Sequence, residues 1–316
     1  MPGWRAHFAT ILKIPRSSFY SKPTKLTERD TVAVERLRAV HQANPYYGVA
    51  RFAIELNWTE KKARRIRNLA GITAAKRTKR RRTQPGVAEV TAPANALKSY
   101  ADFKDVNRPQ DGQSYARMVE SEAWVQDFTH IWFMGMWIYV ATILDLKTRR
   151  IVGWSIGMRH DKDLVHRAAL DALSKYPPPP ILHSDQGSEY LSHKLRDLCD
   201  KLEIELSCSD KGSPWQNGFK ERFYGTLKDE LGPVTRFKDL AELHEGVALT
   251  IYYYNHKRIH TALKMSPAAY AATPDFRRSA AALSETRHRQ PLPGQAGYTV
   301  LCPCCYPAGW HYPRAV

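Results

Sequence analysis

Three carboxylates stand out by their surroundings. Asp127 lies in the apolar, aromatic-rich stretch WVQDFTHIWF, Asp185 in ILHSDQGSEY and Glu221 in SPWQNGFKERFYGTLKDE, with thirty-five residues between the second and the third. Acidic oxygens gathered in one place are what a site needs to bind two Mg²⁺ ions and move phosphoryl groups. Magnesium takes oxygen ligands, and a pair of ions can stabilise both the attacking and the leaving oxygen. Asp127 carries an argument of its own, because a carboxylate buried in a strand without a cation or partner is expensive.

The segments around these residues decide what can hold them. AWVQDFTHIWF, WIYVATILDL and RIVGWSIG are rich in β-branched and aromatic residues and are joined by MG and KTRR. That predicts an antiparallel meander with a hairpin turn at Met134-Gly135. DKDLVHRAALDALSKY spaces Leu164, Val165, Ala168, Ala169, Ala172 and Leu173 for one helical face and is stopped by Pro177 to Pro180. A short strand PILHSD, a helix LSHKLRDLCDKL, a strand IELSCS and a helix from Gln216 complete the order βββαβαβα. This is the order of the ribonuclease H-like fold, so the expected class is α/β, a mixed five-stranded sheet with flanking helices. Asp127 then sits midway along the first strand and Asp185 at the C-terminal end of the fourth, its neighbour. Glu221 falls about one turn into a helix packed across the strand ends, after the breaker Gly212-Ser213-Pro214. Lys228, seven positions further, shares its face and sets a cation beside the site.

Neighbouring polar and aromatic residues have plainer readings. Asp145, in LDLKTRR, precedes a turn and is expected to cap it rather than bind metal. His183 is expected to support Asp185 through a hydrogen bond, since magnesium prefers oxygen. Trp132, Trp137 and Trp154 are expected in the core.

Upstream, the chain reads as helices. Glu28 to Gln42 is a charged helix with Val32, Val34, Leu37 and Val40 on its apolar side, broken at Asn44-Pro45, and VARFAIELN follows. Thr59 suits an N-cap for EKKARRIRNLA, which Gly71 stops. Lys62, Arg64, Arg65 and Arg67 decorate that helix, as in a small all-α helix-turn-helix region preceding the sheet. An ordinary solvated basic helix has the same pattern. The run KRTKRRR, with Lys79, Arg80 and Arg81, is either a solvated linker or a non-specific phosphate contact.

Composition agrees. Forty-eight Lys and Arg against 31 Asp and Glu leave a formal charge of +17, which favours a polyanionic partner. Five sparse cysteines argue against a disulfide scaffold and for reduced cytosol. The CPCC cluster near His311 fits no standard zinc spacing. The N-terminus lacks the apolar core of a signal peptide, and the run Ile131 to Leu144 is too short to span a bilayer. The expectation is a soluble, cytoplasmic protein with no membrane partner. Its regions would be residues 1–75 (helical), 76–120 (basic, then irregular linker), 121–278 (catalytic domain) and 279–316 (tail, poorly ordered).

Four ordered blocks resemble the integrase catalytic core of DDE transposases, most closely the second reading-frame protein of the insertion-sequence 3 family. They are WVQDFTHI, HSDQGSEY, SPWQNGFKERFYGTLKDE and YYNHKRIHTALKMSPAAY; NPYYGVARFAIELN and KKARRIRNLAGI are similar to that family's helix-turn-helix segment. The likeness covers most of residues 28 to 275. Departures are a long linker from Asn95 to Glu122 and the wording WQN with Lys220. The resemblance implies that Asp127, Asp185 and Glu221 are both catalytic residues and ligands of two Mg²⁺ (or Mn²⁺). It also implies DNA contacts by Lys228 and the basic helix, and support from Asn217, Asn255, Arg258 and His260. Its expected partners are double-stranded DNA (transposon ends and target), further copies of the chain on that DNA, and an upstream-frame helix-turn-helix protein. When bound to DNA it would lie with the bacterial nucleoid. The expected activity is end cleavage and strand transfer. The competing readings are a catalytically silent or domesticated DNA-binding protein, and a ribonuclease H-like nuclease without strand transfer.

Overall fold

The computed structural model describes residues 28–73, 92–97, 123–187, 189–210 and 218–273, with isolated positions near the N-terminus and two short paired segments at 102–103 and 113–114. By contacts the chain divides into two compact units, Met1–Lys76 and Arg77–Val316. Each is described by itself.

In the first unit α1 (Glu28–Ala43), α2 (Val49–Glu55) and α3 (Glu60–Leu69) pack through Ala33, Val34, Leu37, Phe52, Ala53, Ala63 and Ile66. Thr59 caps α3, its side chain accepting from the Lys62 amide at 3.3 Å. Gly71 ends it at φ +67, where a side chain would be strained. Val32, expected on the apolar face of α1, is instead exposed. The helix buries Asp30 in its place, because Arg65 of α3 grips that carboxylate through both Nη atoms, Nη1 to Oδ2 at 3.1 Å.

The second unit is the βββαβαβα succession expected. Its strands are β1 (Ala123–Phe133), β2 (Met136–Asp145), β3 (Ile151–Gly157), β4 (Ile181–Ser184) and β5 (Glu205–Cys208), and its sheet order is β3-β2-β1-β4-β5. The first three strands are antiparallel, while β4 and β5 join in parallel to β1 and to each other. This is the ribonuclease H-like fold. The β1–β2 hairpin turns at Met134 and Gly135, both at positive φ, which matches the twist of the strands.

Helices cover both faces. On one, α4 (Lys162–Leu173) and α5 (His193–Lys201) pack on Trp124, Ala141, Ile143, Val152 and Leu182. On the other, α6 (Gly218–Leu231) and α7 (Leu240–His256) bury Phe223, Leu227, Leu231 and Val247 against Val125, Ile131, Phe133 and Val140. Central strands buried on both sides explain why their sequences are nearly unbroken apolar runs. Gly153 is required where α4 crosses β3, since a Cβ there would lie 2.5 Å from the Ala168 carbonyl oxygen. Of the three tryptophans expected inside, Trp154 packs partly on the core, but Trp132 and Trp137 are exposed on the hairpin. No helix among the described residues is long and apolar enough to cross a membrane.

Candidate active site

The sheet brings two aspartates together by register. β1 and β4 run parallel with Val125 opposite His183, so Asp127 and Asp185, each two residues on, meet where β4 ends. The Asp127 carboxylate accepts from the Phe128 amide at 2.8 Å, and Asp185 from the Gly187 amide at 3.1 Å. Burial, then the charge of Asp185, pushes Asp127 up to about 7, with Lys220 pulling the other way. Burial also raises Asp185, and the charge of Glu189 adds to the rise against the offset of the Gly187 amide and His160. Two recessed carboxylates that resist ionising side by side are suited to a shared cation. Their donor set is all oxygen, as a hard divalent ion requires.

Glu221 is placed differently. It lies exposed in the first turn of α6, where a carboxylate is hydrated and favoured by the helix dipole. Among the described residues, no three His, Cys, Asp or Glu side chains form a group that could enclose a metal. The third carboxylate whose charge reaches both aspartates is Glu189. It pairs with His160 at 2.8 Å and folds over Gly187, where a Cβ would lie 2.5 Å from its Oε1. His160 in turn lies against the ring of Phe128 at 3.9 Å between centroids. Sequence reasoning did not single out Glu189 or His160.

A second missed feature joins α6 to the strands. Lys220, next to Glu221, is fully buried, and its Nζ donates to the Thr142 carbonyl at 2.6 Å and to the Thr142 hydroxyl. Thr142 stands directly opposite Asp127 in the β1–β2 ladder. Tyr224, one turn beyond Lys220, donates to the Asp127 carbonyl, so its oxygen accepts from Thr142 Oγ1 at 3.0 Å. Burial lowers the Lys220 ammonium to about 7, partly countered by Asp127. The helix carrying Glu221 is thus pinned to the strand pair carrying Asp127. The only trace in the sequence was the unusual lysine before the glutamate.

His183 corrects an expectation. Its ring is buried with Nδ1 on Ser207 Oγ at 2.8 Å and Nε2 on Ser209 Oγ at 3.0 Å. Both nitrogens are occupied by β5 and the residues after it, so it ties β4 to its neighbour and leaves none for Asp185. Burial holds it neutral, down to about 4. Asp145 does cap its turn, one oxygen accepting from the Lys147 and Thr148 amides and the Thr148 hydroxyl.

The remaining expected residues lie at varying removes. Lys228 is half-buried on α6, and its charge reaches His130 of β1. Asn255 makes two 2.9 Å bonds to the Ile151 backbone, and Arg258 pairs at 3.0 Å with Glu230 of α6. His260 bridges to Met265. This block clamps α7 and the residues just after it to β3 and α6. On α3, Lys62 sits over the Trp58 ring at 4.6 Å, Arg65 is committed to Asp30, Arg64 is exposed and Arg67 half-buried. Asn217, Lys79, Arg80, Arg81 and the CPCC tail lie outside the described residues; Cys199 and Cys208 are buried free thiols.

Comparison with known proteins agrees with the geometry. Two Integrase core domain profiles match, over residues 120–214 and 202–267. InsK of insertion sequence element IS150 from Escherichia coli K12 is 31% identical over 269 residues, covering 82% of this chain and 90% of that protein. The transposase for insertion sequence element IS904 from Lactococcus lactis is 30% identical over 254 residues, covering 77% and 94%. Among solved structures, the HTLV-2 integrase catalytic core domain in complex with magnesium aligns with a TM-score of 0.41 at 17% identity, over 48% of this chain and 97% of that one. With nearly the whole length of such relatives matched at this identity, the chain belongs to the insertion-sequence 3 family of transposases, polynucleotidyl transferases built on an integrase core.

Proposed function

We propose that this transposase nicks the ends of its element and joins the freed 3′-OH to target DNA, using Asp127, Asp185 and Glu221 to hold two Mg²⁺ (or Mn²⁺). The observation that carries this reading is the recessed Asp127–Asp185 pair, held by adjacent parallel strands and pushed toward protonation first by burial, then by the charge of Asp185 on Asp127 and of Glu189 on Asp185. Bound there, the ions would lower the pKa of the attacking hydroxyl and stabilise the leaving oxygen. The chain's own residues do the rest. Asp127 and Asp185 are fixed by backbone amides, so their oxygens are oriented before a cation arrives. Glu221, exposed on the first turn of α6, completes the set. Lys228 reaches a phosphate beside the cut without competing for metal. Double-stranded DNA is the substrate, several copies act together on it, and an upstream-frame protein is a further partner.

Lys220 tests the positioning. Lys220→Met should slow cleavage roughly 10²-fold, the order expected when a catalytic group is displaced by about an ångström, while circular dichroism stays native. A wild-type rate would make Lys220 a filler of space.

The helical unit separates two neighbouring arginines. Arg64→Ala should weaken binding to the transposon end by about 1–3 kcal/mol relative to random DNA, if Arg64 reads a base. Arg65→Ala should instead lower the melting temperature of the unit, because it strands the buried Asp30. Binding curves on both DNAs with a thermal melt decide it; equal losses on both DNAs from Arg64→Ala would make it a phosphate contact.

The reading as a whole is tested by incubating the chain with supercoiled plasmid in Mg²⁺. Nicking that EDTA stops supports it, and no nicking at any metal concentration indicates a silent DNA-binding protein.

A further inference from the structure

The β1–β2 hairpin ends in a cluster that the chemistry above does not use. Trp132 is 53% exposed, Trp137 46%, Met134 68% and Met136 43%. The two indoles are cross-strand partners, edge to face at 4.8 Å, and His130 sets its ring against Trp137 at the same distance. By strand alternation they share the sheet face that α4 and α5 cover lower down, around Trp124, Ala141 and Ile143. Trp132 lies five residue steps along β1 from Asp127, about 17 Å at the rise of a strand. Lys228 of α6, which covers the opposite sheet face, acts by its charge on His130 alone of this group.

We propose that Trp132 and Trp137 form a stacking platform for unpaired bases at a DNA end, at the hairpin tip beyond the strand segment that carries Asp127 and on the opposite sheet face from it. This rests on the transposase reading and names what the DNA presents to it. Indole faces accept any base, and stacking with a nearby cation is how proteins hold single-stranded segments without reading sequence. The distance from Asp127 places the platform within the last several nucleotides of a cleaved end, since successive nucleotides rise about 3.4 Å. A second copy of the chain is the poorer occupant: a stable dimer buries about 800 Å² on each partner, far more than four side chains on a hairpin tip supply. The formal charge of +17 also favours a polyanion over a like-charged copy.

The test uses the full chain in EDTA, so that nothing is cut. Its probes are a blunt duplex and the same duplex with mismatched, unpaired terminal bases carrying 2-aminopurine. The wild type should prefer the forked end and quench the 2-aminopurine. Trp132→Ala and Trp137→Ala should lower affinity for the forked end about 10-fold, lose the quenching, and bind the blunt duplex as before. Trp132→Phe should recover most of both signals. Light scattering should show the same mass for every variant. Forked-end affinity and quenching retained by both alanine variants would overturn the platform alone. So would a fall in mass, which would assign the tip to a second copy. A wild type that bound neither duplex would overturn the transposase reading as well.

Discussion

Asp127→Asn and Asp185→Asn should each reduce cleavage and joining by about 10³-fold or more, because on the proposed reading each removes a metal-binding charge with almost no change in volume and costs several kcal/mol of transition-state stabilisation. Glu221→Gln should fall with them, since the proposed site needs the exposed glutamate once substrate and metal are in place. The fold should survive in all three by circular dichroism, and DNA affinity should stay close to wild type. Asp145→Asn should keep most activity, because its carboxylate is spent closing the β2–β3 turn. Its rates are compared with the others on one labelled substrate, and an active Glu221→Gln beside a dead Asp145→Asn would reassign the third carboxylate.

Much of this was legible in the chain. The strand and helix order followed from period-2 and period-3.6 patterns broken by Gly and Pro, and the order placed Asp127 and Asp185 on adjoining strands before any coordinates. The cap at Thr59 and the turn at Asp145 were local, and local chemistry reads well from sequence. What failed depended on packing at a distance. His183 adjoins Asp185 in sequence, yet its partners are serines from the next strand and just beyond it. Lys220 looks like any helix lysine until α6 is laid across Thr142. Trp132 and Trp137 continue the alternation of a buried strand, and only the extent of the covering helices shows that the hairpin outruns them. Glu189 needed the loop after β4 to fold back over Gly187. The pairing of Arg65 with a buried Asp30 on another helix leaves no mark in the pattern.

A second large effect concerns the metal without any DNA. Mn²⁺ at a hundredfold over its dissociation constant should stabilise the chain by about 2.7 kcal/mol, which for a domain of this size raises the melting temperature by roughly 5–10 °C. The sign with pH follows from Asp127. Its folded pKa stands near 7 against an ordinary 3.8, with burial the first cause and Asp185 the second. Between those values the folded chain keeps a proton that the unfolded chain releases. Without metal, this group's contribution to stability therefore falls as pH rises from about 4 to about 7. Metal has to displace that proton, so its stabilisation grows over the same interval and is small at the acid end. Asp127→Asn should remove both the pH slope and the metal effect. Thermal melts with and without Mn²⁺ across that range measure it, and a metal effect unchanged in Asp127→Asn would place the cation elsewhere.

Joining of DNA ends at the proposed site is read directly by a strand-transfer assay. A labelled element end with its 3′-OH already exposed is mixed with plasmid, the chain and Mg²⁺. The label should appear covalently in the plasmid with wild type and with Asp145→Asn. It should be absent with EDTA, Asp127→Asn, Asp185→Asn or Glu221→Gln. Plasmid that is nicked by the wild type while the label stays unjoined would contradict the account and leave a nuclease in place of a transposase.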